Sequence, residues 1–86
     1  MRLFCTERFQ RAYAELDDPQ SESVKKALRM LTSTPRHPSL RVRKMQGTTD
    51  IWEARASRSL RLTLEMRDDV ILLWNVGAPD ETLKHP

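Results

Sequence analysis

The sequence predicts an α+β fold in which an N-terminal two-helix hairpin packs on one face of a twisted, mainly antiparallel sheet of four or five strands. Apolar residues recur every three or four positions as far as Leu31 and alternate with polar residues from Leu40 onward, which are the periods of a helix and of a strand. The chain has 86 residues, the size of one compact domain. We therefore expect residues 1–86 to form a single domain with one core and one site.

The first helix is predicted over Thr6 to Leu16. Phe9, Ala12, Tyr13 and Leu16 follow one another at helical spacing and draw an apolar stripe along one side. This stripe predicts that one face of the helix packs on the sheet.

The second helix is predicted to begin at Asp17-Asp18-Pro19, because a carboxylate can cap free N–H groups and proline suits the first helical position. Val24, Ala27, Leu28 and Leu31 repeat the apolar spacing. The prolines of Thr34-Pro35-Arg36-His37-Pro38 disfavour helix before them, so the helix is expected to end there.

Short alternating runs separated by polar turns fill the second half of the chain. The predicted strands are Leu40–Met45, Ile51–Ala56, Leu60–Met66 and Val70–Val76, and Arg2–Cys5 can add one more before the first helix.

The apolar alternation also predicts the register of the two central strands. A turn of three residues at 57–59 pairs Ala54 with Leu62, which keeps both apolar sets on the core face. Trp52 is then expected inside, opposite Leu64. By the same reasoning, a three-residue turn after Met66 pairs Trp74 with Leu62 and buries it, which argues against base stacking on either tryptophan. Ile71 and Leu73 are then expected on the opposite, open face.

On the open face this register sets Arg55 directly across from Arg61. Like charges in that position repel each other, so a purely structural surface would more naturally pair arginine with glutamate. One interpretation is that two guanidinium groups on stiff strands clasp a shared phosphate. The alternative is that Glu53 and Glu65, on the same face, neutralise the arginines in a surface network.

Positive charge gathers in residues 36–61, which hold seven basic residues against Asp50 and Glu53, although the whole chain carries only +3. Such a patch attracts polyanions, and RNA phosphates are the predicted ligand; an incidental arginine-rich surface is the alternative. The basic residues are Arg36, Arg41, Arg43, Lys44, Arg55, Arg58 and Arg61.

Several classes of protein are not expected. Cys5, the single cysteine, cannot form an intramolecular disulfide and is expected in the core, which favours a reducing cytoplasm. No apolar run is long enough for a membrane span or a signal peptide. With only His37 and His85, both interpreted as loop or tail residues, no metal-ligand spacing exists, so we expect neither metal nor cofactor.

The order of these segments resembles the RelE/ParE superfamily of bacterial and archaeal toxin–antitoxin toxins along nearly the whole chain. The resemblance rests on the helix hairpin followed by His37-Pro38-Ser39-Leu40-Arg41, Ile51-Trp52-Glu53-Ala54-Arg55, Leu60-Arg61-Leu62 and Asn75-Val76-Gly77. It implies a cytoplasmic toxin that a cognate antitoxin neutralises. RelE-type members cleave mRNA on the ribosome, whereas ParE-type members inhibit DNA gyrase.

For the ribonuclease branch, the resemblance implies that Arg61 contacts the scissile phosphate and that Lys44 lies near the attacking 2′-hydroxyl. Arg55 would join Arg61 in stabilising the charge that forms on the phosphate. Many members carry a histidine or tyrosine beyond the final strand, where this chain has Pro79, so Asp80 and His85 are the substitutes for proton transfer. The predicted RNA-binding residues are Arg41, Arg43, Lys44, Arg55, Arg58 and Arg61.

Three functions stay open on the sequence alone. The favoured one is a RelE-like, metal-independent mRNA endoribonuclease acting on the ribosome. The second is a ParE-like inhibitor, or a degenerate module that binds a partner without cleaving RNA, and Pro79 is the residue that favours it. The third is a structural domain whose charge is incidental.

Overall fold

A computed structural model describes residues 1–47 and 50–86 and orders them as a strand, two helices, four further strands and a last helix. The strands are β1 Arg2–Cys5, β2 Arg43–Lys44, β3 Trp52–Ser57, β4 Leu60–Arg67 and β5 Val70–Gly77. The helices are α1 Glu7–Ala14, α2 Asp18–Ser33 and α3 Pro79–Lys84, with a short 3₁₀ helix at Pro38–Leu40. No helix of this part of the chain is long and apolar enough to cross a membrane.

Both N-terminal helices begin at capping side chains. Thr6, predicted to lie inside the first helix, precedes it, and its Oγ1 accepts a hydrogen bond of 3.0 Å from the Phe9 amide. Asp17 and Gln20 form a reciprocal capping box at the start of α2, with bonds of 2.9 and 3.0 Å. These caps satisfy amides that have no partner within the helix.

The sheet is mixed and has five strands in the order β1-β5-β4-β3-β2. β1 runs parallel to β5, and the other neighbours are antiparallel. The hairpin packs α1 against β5 and α2 against β3, so both helices cover one face. The prediction of an α+β fold is therefore confirmed, with the difference that a strand precedes the helix hairpin.

The predicted register of β3 and β4 is confirmed. Ala54 lies opposite Leu62, and Arg55 lies opposite Arg61. The turn is tighter than predicted, because Ser57 pairs with Leu60 and the register shifts between Arg55 and Ser57. A bulge absorbs the extra residue, so the arginines still face each other.

The predicted register of β4 and β5 is wrong. Only two residues form the turn, and one of them, Asp68, takes the left-handed conformation with φ 53°, which two-residue hairpin turns favour. A one-residue change in the loop moves every following side chain to the other face. Ile71 and Leu73 are fully buried, whereas Trp74 sits at a bulge, half-buried, with its Nε1 donating to Glu65 at 3.1 Å.

The predicted strand Leu40–Met45 is also wrong over most of its length. Pro38 starts a 3₁₀ helix that buries Leu40, and Arg41 ends it in the left-handed region at φ 46° and ψ 45°. Strand pairing is limited to Arg43 and Lys44. The left-handed conformation of Arg41 turns the chain at this point, whereas an extended strand would continue straight.

The core lies between the helix hairpin and the sheet and includes Phe9, Val24, Leu31, Leu62, Leu64 and Ile71. Cys5 is exposed rather than buried in the core, since β1 lies at the edge of the sheet. Partial burial nevertheless raises the pKa of its thiol.

Helix α3, which was not predicted from the sequence, covers part of the face opposite the hairpin. Thr82 of α3 is 1% exposed, and a Cβ on Gly77 would lie 2.7 Å from its Oγ1, so only glycine fits there. Buried Thr63 of β4 donates to the backbone oxygen of Pro86 at 3.0 Å. Pro79 at the first helical position, followed by acidic residues, was the available signal.

Candidate functional site

Arg55 and Arg61 face each other across β3 and β4 on the face that the hairpin leaves uncovered. Two further arginines, Arg41 and Arg43, approach them from the segment before β3. The four side chains line a cavity of about 160 Å³, here called the arginine cavity, together with Glu53 and Ala54. The structure thus brings together four of the six predicted RNA-binding residues.

Glu53 and Glu65 form ion pairs with arginines other than Arg55 and Arg61. Glu53 is buried and forms an ion pair with Nε of Arg43. Glu65 binds Nε of Arg67 at 3.1 Å, at the far end of β4. Within residues 1–47 and 50–86, no carboxylate forms an ion pair with Arg55 or Arg61.

Backbone carbonyl groups hold the guanidinium of Arg61 in place. Its Nη1 donates to the carbonyl oxygens of Ser57 at 2.8 Å, Leu60 at 3.1 Å and Arg58 at 3.3 Å. All three bonds come from one nitrogen, so Nε and Nη2 still have hydrogens to donate to an anion. The turn between β3 and β4 therefore orients Arg61 before any ligand binds.

Neighbouring positive charges act on Arg55. The charge of Arg41 is the largest cause that lowers the pKa of the Arg55 guanidinium, followed by burial and by the charges of Arg61 and Arg58. Arginine stays protonated despite such a shift. The shift therefore reports electrostatic repulsion among the cations, which a bound anion would relieve.

The left-handed backbone at Arg41 is uncommon for a residue with a side chain and costs about 1 kcal/mol. Strained residues of this kind cluster at ligand sites. Arg41 is exposed, and its side chain lines the arginine cavity at the corner where the 3₁₀ helix turns towards β2.

Lys44 and Arg58 lie beside the arginine cavity rather than in it. Lys44 lines an adjacent cavity of about 370 Å³ with Arg43, Glu53 and Leu83 of α3. Arg58 is exposed in the turn between β3 and β4 and lines a groove on the α2 side. Glu53, considered from the sequence only as a neutralising neighbour, borders both cavities; its alternation with Arg55 along β3 was the signal for this position.

Asp80 and His85 lie at the two ends of α3, and neither lines the arginine cavity. Asp80 is exposed in the first turn, directly after Pro79. His85 is exposed, and its backbone oxygen accepts from Arg8 at 2.5 Å and from Asn75 at 3.2 Å. Across the described ranges, no three His, Cys, Asp or Glu side chains group closely enough to hold a metal ion.

An apolar patch occupies the other end of the uncovered face. Leu72 and Trp74 take the place that the sequence analysis gave to Ile71 and Leu73. Phe4, which is 50% exposed, lies next to Leu72 on β1. The patch borders a cavity of about 300 Å³ lined by Glu65, Arg67, Val70, Leu72 and Trp74.

Solved structures of toxins share this architecture. A chain of the intact E. coli RelBE toxin–antitoxin complex matches with a TM-score of 0.71 at 25% identity, over 90% of this chain and 94% of that one. YafQ from E. coli matches with a TM-score of 0.80 at 11% identity, over 95% and 98%. A YoeB/ParE toxin from Agrobacterium tumefaciens gives 0.77 at 15%, over 91% and 98%.

The sequence matches no family model and no curated protein. The structural matches nevertheless cover nearly the whole of both chains. The chain has the fold of the RelE-like toxins, as the order of its sequence segments predicted.

Proposed function

We propose that this chain is the toxin of a toxin–antitoxin module and that it acts as a ribosome-dependent mRNA endoribonuclease. The observation that carries the proposal is the pair Arg55 and Arg61, opposite each other on stiff strands without a carboxylate partner among the described residues. The structural similarity to a chain of the RelBE complex supports the assignment to a toxin–antitoxin module, in which a cognate antitoxin is the protein partner. Such a toxin works in the cytoplasm, where ribosomes and mRNA are its other partners.

The proposed reaction is an attack by the 2′-hydroxyl of RNA on the adjacent phosphorus. The O2′–P bond forms, the P–O5′ bond breaks, and the products are a 2′,3′-cyclic phosphate and a 5′-hydroxyl. Arg61 and Arg55 stabilise the negative charge that grows on the phosphate oxygens in the transition state. Arg41 and Arg43 hold the same phosphate group or its neighbour by charge-assisted hydrogen bonds.

Proton transfer requires a base for the 2′-hydroxyl and an acid for the leaving O5′. Glu53 lines the arginine cavity, Lys44 lines the adjacent cavity that shares Glu53, and these two residues are the candidates for the base. Asp80 lies in the first turn of α3 and His85 directly follows this helix, whose Leu83 shares a cavity with Lys44; Asp80 and His85 are the candidates for the acid. Pro79 cannot take part.

The test is Arg61→Gln, assayed by primer extension on mRNA bound to purified ribosomes. The matched control is Arg67→Gln, on the same strand but ion-paired with Glu65 outside the arginine cavity. We expect loss of Arg61 to lower the cleavage rate by about 10² or more, because an oriented donor to the transition state is removed. Equal rates in the two variants would refute the assigned role of Arg61, and an intact wild-type chain that leaves mRNA uncut would refute the nuclease.

A second candidate is a ParE-like gyrase inhibitor or a toxin that binds RNA without cleaving it. Pro79 in place of an acid or base, and the position of Asp80 and His85 outside the arginine cavity, favour it. A supercoiling assay with purified gyrase separates the two. Inhibition of gyrase by a chain that does not cut mRNA would select this alternative.

A further inference from the structure

A second basic groove lies on the helix side of the arginine cavity. It runs between α2, the 3₁₀ helix and the turn that joins β3 to β4, and its volume is about 480 Å³, within the range of ligand-sized pockets. Buried Ala27 and Leu40 form its floor. Its charged lining residues are Lys26, Arg41, Arg55 and Arg58, and none is acidic.

None of these four cations is paired with a carboxylate in the part of the chain that the structure describes. The ion pairs found there use Arg11, Lys25, Arg43 and Arg67 instead. The contrast is sharpest on α2, where Lys25 binds Glu22 at 3.3 Å and the adjacent Lys26 faces the groove. The groove therefore holds positive charge that no ion pair of these described residues neutralises and that an external anion can neutralise.

The groove is continuous with the arginine cavity. Arg41 and Arg55 line both. β2 pairs with only two residues of β3, so the rest of that strand edge, from Arg55 to Ser57, opens directly into the groove. A chain-like ligand anchored at Arg55 can pass over this edge without a barrier from a neighbouring strand.

We propose that this groove is a second RNA subsite, in which Lys26, Arg41 and Arg58 bind backbone phosphates on the strand whose scissile phosphate occupies the arginine cavity. The proposal rests on the proposed function and extends the path of the RNA beyond the cleaved bond. Continuity through Arg41 and Arg55 favours RNA over an acidic protein segment, because one polyanion can follow both surfaces. The apolar floor suits the sugar and base edges between the phosphates.

The experiment measures binding of fully 2′-O-methylated RNA, which cannot be cleaved, by fluorescence anisotropy over a series of salt concentrations. Two lengths are compared, about 4 and about 12 nucleotides, so that only the longer one can reach both sites. Lys26→Gln is matched by Lys25→Gln, the neighbouring lysine on the same helix with the same change of charge. Arg61→Gln reports on the arginine cavity itself.

We expect Lys26→Gln to weaken binding of the longer RNA about fivefold at ~0.1 M salt. It should also reduce the slope of log affinity against log salt concentration by about 0.7, the value for one phosphate contact on a single strand. Adding Arg58→Gln should weaken binding about fivefold again. The shorter RNA should bind Lys26→Gln and wild type alike, and Lys25→Gln should match wild type for both lengths.

Equal affinity and salt slope of Lys26→Gln and Lys25→Gln for the longer RNA would overturn the subsite. The same holds if Lys26→Gln weakens binding of a poly-glutamate peptide and not of RNA, since the groove would then take an acidic protein segment. If wild type binds neither RNA, or if Arg61→Gln binds both as tightly as wild type, the failure lies in the proposed function instead.

Discussion

Alternate residues of β5 provide a direct test of the sheet register, because Leu72 and Leu73 are the same residue type on opposite faces. Leu73 is fully buried and pairs with Leu64, whereas Leu72 is half-buried on the uncovered face and pairs with Glu65. Leu73→Ala removes a side chain that the surrounding core can only partly replace, so we expect a loss of about 2–5 kcal/mol in the free energy of unfolding. Leu72→Ala should cost about 1 kcal/mol or less, as partly exposed positions do.

Urea unfolding followed by far-UV circular dichroism measures both variants, with Leu62→Ala as a reference for a fully buried leucine of β4. We expect Leu73→Ala to resemble Leu62→Ala and to lower the melting temperature by about 4–8 °C for each kcal/mol lost, as is typical of a domain of this size. A larger loss for Leu72→Ala than for Leu73→Ala would refute the two-residue turn and return β5 to the register predicted from the sequence.

Three further predictions concern residues at or just before the start of a helix. Gly77→Ala should destabilise the protein by about 1–3 kcal/mol in urea unfolding, since its Cβ would lie 2.7 Å from Oγ1 of Thr82, and adding Thr82→Ala should recover part of the loss. Asp17→Ala should cost about 1 kcal/mol by breaking the capping box with Gln20, and no change would show that the box is not formed in solution. Pro79→His should raise ribosome-dependent cleavage by up to about 10²–10⁴-fold with unchanged RNA affinity, because it places an imidazole where the family resemblance implies a histidine or tyrosine as acid or base; unchanged cleavage would assign proton transfer to other groups.

Some strand pairings could be predicted from the sequence and others could not, because the length of the connecting turn is not always evident from its residues. The pairing of β3 with β4 was predictable, because Ala54 and Leu62 must share the core face whatever the detail of the turn. The pairing of β4 with β5 was not, since both two- and three-residue turns fit Asp68-Asp69 and only the left-handed Asp68 selects the shorter one. The 3₁₀ helix could not be predicted for the same reason, because it ends at Arg41 in a left-handed conformation that the sequence does not signal.

Some residues of the candidate site could likewise be predicted from the sequence, and others could not. The facing pair Arg55 and Arg61 follows from strand alternation together with a short turn between β3 and β4, and it was predicted from the sequence. Arg41 lines the arginine cavity from a left-handed backbone conformation, which no residue pattern near it signals. Lys26 lies on a helix whose apolar stripe predicted packing against the sheet, but the groove beside it depends on how that helix crosses the sheet.

In the proposed enzyme, the arginines that bind phosphate and the candidate acids thus stand on different parts of the fold. Arg55 and Arg61 are fixed by paired strands, and carbonyl groups of the adjoining turn hold Arg61. Asp80 and His85 belong to α3 and its end, which a few contacts such as the Thr63 hydrogen bond attach to the sheet. Because α3 carries the candidate acid Asp80 and none of the residues proposed to bind phosphate, substitutions in α3 can change the rate of cleavage while RNA affinity stays constant. A chain with this fold can therefore lose catalysis and still bind, which is why affinity and cleavage must be measured separately for each variant.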